Sequence, residues 1–230
     1  MRNTDRIIGT RTGVEPTNLF ALDPATGATE HPHIVELRRW TREYLCRPHP
    51  ALGRSGPVCP YTSRAIERQY LWVVFINGRS IEIQYITAIV DDLYELFPAL
   101  PPRDEHDSKL KAVLAVFPDL TEYADIETVQ RDQKTRFVQQ GLMLGQFYPG
   151  CTLPGLHNPA FPALDAPLPM LAVRHMAPTD FAFLTARDEW IDAYHRFFGP
   201  HVPASSPPQF STPHRSSTST PSAEFGSRAG

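Results

Sequence analysis

The chain has 230 residues with 22 basic against 25 acidic side chains, a formal charge of −3, so no basic surplus recommends a phosphate backbone as partner. Hydrophobic residues make up 41% and charged residues 20%, ordinary for one globular domain with extensions. No stretch approaches the ~20 apolar residues of a membrane span, and Met1 to Asp5 lack the apolar core of a secretion signal, so the expected compartment is the cytoplasm.

Residues 1–30 read as an N-terminal arm, with turn chemistry at Leu22-Asp23-Pro24-Ala25-Thr26-Gly27. Residues 31–202 read as a single domain. Beyond it, residues 203–230 are rich in Ser, Thr and Pro and contain no Leu, Ile or Val, too little apolar surface to offset the entropy of ordering; a disordered tail is expected. Ile34, Leu37, Trp40, Tyr44 and Leu45 recur at helical spacing and predict an opening amphipathic helix closing before Pro48. A loop punctuated by Pro and Gly, Arg47 to Pro60, leads to a short helix through Gln69 with Thr62 as its expected N-cap.

Tyr70 to Ile76 is a continuous β-branched and aromatic run ended by Asn77-Gly78, the pattern of a strand covered on both faces. Ile86, Ile89, Val90, Leu93 and Phe97 describe a second helix, on which Asp91, Asp92 and Glu95 read as a solvated face. Further strands are expected over Ala112–Phe117, Leu142–Phe147 and Leu168–His175, with helices over Leu120–Gln140 and Ala186–Phe198. The order predicts an α+β fold, a mixed β-sheet of about four strands with helices packed mainly on one face. No glycine-rich phosphate loop follows any strand, which argues against a nucleotide fold.

Two loops concentrate reactive groups. In Gly53 to Tyr61, Cys59 precedes a helix start, where exposed N–H groups favour an anionic sulfur; it could be a nucleophile, a ligand or a small buried residue in a rigid turn. The three cysteines, Cys46, Cys59 and Cys151, are too scattered for a disulfide framework and read as reduced thiols. In Gly145 to Pro159, which leaves a strand end, His157 can serve as metal ligand, acid or base, or merely bond a loop carbonyl. Arg174 and His175 end the last strand. Alternation sends them to opposite faces, so one of the two would enter a given pocket; Arg174 suits a carboxylate or a haem propionate, or a structural ion pair. His31 and His33 lack a closed ligand set.

Gly56-Pro57-Val58-Cys59-Pro60-Tyr61, Gly145-Gln146-Phe147-Tyr148-Pro149, Gly155-Leu156-His157-Asn158 and Arg174-His175-Met176 together resemble an uncharacterised bacterial domain family of unknown function found beside specialised-metabolite genes. More distantly, the Cys-Pro turn before a helix and the Gly-Leu-His segment resemble the YqcI/YcgG group, some members of which are haem-dependent enzymes that oxidise nitrogen in guanidine-type amino acids. That likeness implies haem or another metal in a redox enzyme acting on a small polar metabolite. His157 would be the axial or metal ligand, Arg174 and Phe147 would complete the cofactor slot, and Cys59 and His175 would assist catalysis. Tyr61, Gln146, Tyr148 and Asn158 would line the substrate. Two other readings stand beside it: a cofactor-free biosynthetic enzyme using Cys59 or His157, and a noncatalytic partner- or ligand-binding protein.

Overall fold

The computed structural model describes residues 6–21, 31–103 and 108–200; the tail expected over residues 203–230 lies outside the described residues, as does the turn at 22–27. Among the described residues the sheet has five strands, β1 (Thr17–Asn18), β2 (Leu71–Phe75), β3 (Ala112–Val116), β4 (Leu142–Phe147) and β5 (Met170–His175), in the order β1-β2-β3-β5-β4. The helices are α1 (Ile34–Trp40), α2 (Thr62–Glu67), α3 (Ile83–Leu96), α4 (Ala124–Gln139) and α5 (Asp188–Phe198).

β2 and β3 pair in parallel across the α3 connection, and β5 is antiparallel to both β3 and β4. The result is the mixed sheet of an α+β fold. The continuous apolar runs of β2, β3 and β5 are explained by burial on both faces. On one face Val74, Val113, Ala115, Leu144, Leu171 and Val173 pack against Ile86, Ile89, Val90 and Leu93 of α3 and Ile126, Val129 and Phe137 of α4. This face carries the two long helices.

The opposite face is covered by shorter pieces: Leu19 and Phe20 of the arm, Ile34 and Leu37 of α1, Ala65 of α2, and Ala166 and Leu168 of the last loop. α1 runs on into a π-helical turn, Thr41–Leu45, so the predicted opening helix is present but changes its winding. α4 begins at Ala124 rather than Leu120, which lies in the turn after β3, and a 3-10 segment, Pro178–Phe183, absent from the sequence pattern, follows β5. α5 packs through Trp190, Ala193 and Tyr194 against Val138 of α4 and Met143 of β4.

Short pieces cover β2 on one side of the sheet and touch β4 on the other. β1 pairs with β2 through Thr17 and Asn18, and Gln130 Nε2 donates to the Leu144 carbonyl of β4 at 2.8 Å. The arm is fastened by Asp92. Its carboxylate accepts from the Arg11 and Thr12 amides at 3.0 and 2.8 Å and from the Thr12 hydroxyl at 2.6 Å. The solvated-face reading of this acidic stretch is therefore corrected at Asp92, which is 0% exposed, because the arm lies over that side of α3. Gly9 sits so close that a Cβ there would fall 2.4 Å from Asp92 Oδ2.

Burial alone would raise the Asp92 carboxyl, but the Thr12 hydroxyl, the two amides and Arg11 outweigh it and hold it below its ordinary value. A depressed carboxyl stabilises the fold above its unfolded pKa, and that contribution is lost as pH falls through the folded value. Asp92→Ala is expected to cost about 1–3 kcal/mol, since it strands several partly buried donors. Urea midpoints at neutral pH test this, and a midpoint equal to that of the parent protein contradicts the clamp.

Candidate functional site

The sheet face beneath α1 is not sealed at its centre. Pairing puts Leu114, Ala172 and Gly145 side by side across β3, β5 and β4, and alternation directs all three to this face. Each is partly exposed, as is Ala112 one row below. Small residues on a rigid sheet make a low floor. Phe147, in edge contact with Trp40 at 6.0 Å between ring centroids, stands at one end, and Arg174 stands at the other. Four residues along the ladder separate these rows, about 13 Å.

The Arg174 side chain is 38% solvent-accessible at its end of this face. Asp180 takes the end of the guanidinium, accepting from Nη1 and Nη2 at 2.7 Å each, and the His175 carbonyl accepts a further bond from Nη1 at 2.9 Å. Asp180 is itself fixed by the Ala177 amide at 2.7 Å. Of the five N–H groups, the Nε–H and the second Nη2–H have no partner among the described residues. Those two form the side edge of the guanidinium, the edge that grips a carboxylate through parallel bonds.

Burial would lower the Arg174 guanidinium, but Asp180, with smaller contributions from Cys59 and Tyr61, raises it. Cys59 and Tyr61 are thus within electrostatic reach of Arg174. They arrive there on the turn that starts α2, with the Cys59 amide donating to the Leu45 carbonyl at 2.9 Å.

The other expected site residues lie elsewhere. His157 is exposed, and its ring has no polar or ring partner among the described residues. Its carbonyl packs on Gly53, where a Cβ would come within 2.8 Å, and Asn158 Nδ2 donates to the Ala51 carbonyl at 2.7 Å. The two reactive loops do meet, through backbone contacts between Ala51–Gly53 and His157–Asn158. Gln146 is buried on the opposite sheet face, with Leu142 and Leu144. Tyr148 lies past the end of β4, stacked on Tyr123 at 4.7 Å and donating to Glu127; burial and then Glu127 and Cys151 raise its hydroxyl.

A haem slot needs an apolar gap with an axial ligand inside it. His157 and Arg174 share no bond, and Phe147 is in edge contact with Trp40. A recess of about 240 Å³ is lined instead by Glu36, Arg39, Trp40, Glu43, Tyr44 and Pro167, below the ~300–1,000 Å³ usual for ligand pockets. His157, the expected axial ligand, stands exposed on its loop rather than inside such a gap. Among them, no group of three or more His, Cys, Asp or Glu side chains is placed to hold a metal ion.

Sequence reasoning passed over Asp180 and the floor. Asp180, three residues after Ala177 at a Pro-led turn, has the spacing of a helix-start acid, and that was the available signal. Ala112, Gly145 and Ala172 carry no signal, because small residues in a strand read as core.

His175 faces away from the crevice, its ring 5.1 Å from Phe97. Burial, with the charges of Lys111 and Lys109, lowers it to about 4. The unfolded chain, near 6.5, takes up this proton first, so stability should fall as pH drops from about 6.5 to about 4. His175→Gln should flatten that decline in urea midpoints at pH 7, 5.5 and 4; an unchanged slope speaks against it.

No helix among the described residues is long and apolar enough to cross a membrane. Comparison with known proteins gives a match to one family, and no curated protein or solved structure matches. The matched span, residues 34–209, starts at the first residue of α1 and takes in Cys59, Tyr61, Arg174 and Asp180, so the chain belongs to the family described as domain of unknown function DUF6875.

Proposed function

We propose that the crevice takes a small carboxylate-bearing metabolite, held on the side edge of Arg174, with the Cys59 thiol and the Tyr61 hydroxyl beside it as the reactive groups. The observation that carries this reading is the division of the guanidinium. Asp180 occupies one edge and locks the group in place, while the edge suited to a second carboxylate has no partner among the described residues, on a side chain that is 38% solvent-accessible. Arginine preorganised in this way loses little freedom when it binds an anion.

Cofactor-free covalent chemistry at Cys59 is the reaction class that the neighbouring groups support. A sulfur nucleophile could attack an electrophilic carbon of the bound metabolite while Tyr61 gives or takes a proton. Small polar substrates of specialised metabolism are the chemical class that such an anchor suits. Three free thiols agree with a cytoplasmic setting.

Iodoacetate and iodoacetamide differ in little but the carboxylate, so their relative alkylation rates test the anchor directly. At Cys59 the iodoacetate-to-iodoacetamide ratio, normalised to a free small thiol, should be raised about tenfold, the effect of a hydrogen bond worth ~1.4 kcal/mol. Arg174→Lys keeps a cation against Asp180 but removes the open edge, and should return the ratio to that of the free thiol. Equal ratios in the two proteins, with equal urea midpoints, would sink the proposal.

A further inference from the structure

The segment Arg47–Val58 is a closed loop whose two ends are laced together. The Val58 amide donates to the Arg47 carbonyl at 2.9 Å, the Cys59 amide donates to the Leu45 carbonyl at 2.9 Å, and Pro48 bridges Pro57 in antiparallel sense. Cys46 lies between the two accepting carbonyls, so it stands opposite Cys59 across the neck of the loop. Standard bond lengths carried across the Cys59–Leu45 hydrogen bond keep the two Cα atoms within about 7 Å, close to the ~4.4–6.8 Å span of a disulfide.

The tip of the loop is pinned as well. Asn158 holds the Ala51 carbonyl, Gly53 rests on the His157 backbone, and the His49 ring lies 4.9 Å from that of Phe161. Pro48, Pro50 and Pro57 stiffen the path between. The neck therefore cannot drift far apart. Both Cys46 and Cys59 are partly exposed, whereas Cys151 is 0% exposed, so an oxidant reaches the first two and not the third.

We propose that Cys46 and Cys59 form a reversible disulfide, a redox modification site that withdraws the Cys59 sulfur from the crevice. With a hydroperoxide as oxidant, the Cys59 sulfur attacks the peroxide O–O bond, giving a sulfenic acid and water or alcohol. The Cys46 sulfur then attacks the sulfenic sulfur, its thiol proton leaves with the hydroxyl as water, and the S–S bond forms. Two thiols are oxidised by two electrons as one peroxide is reduced. A low-molecular-weight dithiol reverses the change by exchange. The bond itself depends only on the neck geometry; its consequence for the crevice rests on the reading of Cys59 as a reactive group.

The full-length reduced protein, dilute and folded, is treated with hydrogen peroxide, alkylated and mapped by mass spectrometry without reduction. Two of the three thiols should disappear together, with the Cys46 and Cys59 peptides joined within one chain at the loss of two hydrogens, and dithiothreitol should restore both. In Cys46→Ser, Cys59 should stop at the sulfenic acid and be trapped by dimedone at least tenfold more than in the parent protein. Equal trapping in the two proteins, or a linkage found only between chains, overturns the proposal. A Cys59 alkylation ratio no higher than that of a free thiol would remove the carboxylate anchor and leave the disulfide standing; absence of the joined peptide would do the reverse.

Discussion

The last strand of the sheet holds the molecule together. β5 enters between β3 and β4 and makes a ladder with each, so the parallel pair β2–β3 is connected to β4 only through it. A strand bonded on both edges is fixed in register, and a shift by one residue would exchange its two faces. Leu171 and Val173 would leave the core under α3 and α4, and Arg174 would leave the crevice. Register is thus the constraint on which core and site both depend.

The same alternation explains why neighbouring residues in β5 do different work. Arg174 points to the face covered by short elements and loops, where coverage is incomplete and water enters. His175 points to the face covered by two long helices, where Phe97 and the buried Lys111 surround it. Lys111 is held by the carbonyls of Leu100 and Pro102 at 2.7 and 2.9 Å, so its charge stays close to the imidazole and adds to the burial that lowers its pKa. One side of the sheet is sealed by long helices and the other is left partly uncovered.

Much of the fold was legible because local pattern and tertiary role agree. β4 runs from Leu142 to Phe147 as expected, and the apolar spacing of Ile86, Ile89, Val90 and Leu93 marks the buried stripe of α3. β1 was not legible: Thr17 and Asn18 carry no alternation, and their pairing with Val73 and Trp72 joins segments more than fifty residues apart. Asp92 was misread for a related reason, since an acid on a helix indicates a wet surface unless a distant segment comes to cover it. At the site, the opposite facing of Arg174 and His175 follows from strand alternation. The placing of Gln146 opposite Phe147 follows from the same alternation, whereas the seat of Arg174 on Asp180 depends on a contact that no local pattern records.

The family span starts at Ile34, yet the strand that closes the β2 edge and the side chains Leu19 and Phe20 come from the preceding arm. A chain trimmed to that span would carry β2 with a bare row of backbone donors and acceptors beside newly wetted apolar residues. Such an edge recruits strands from neighbouring molecules. Self-association of the trimmed protein would then report the loss of its own arm rather than a native oligomer.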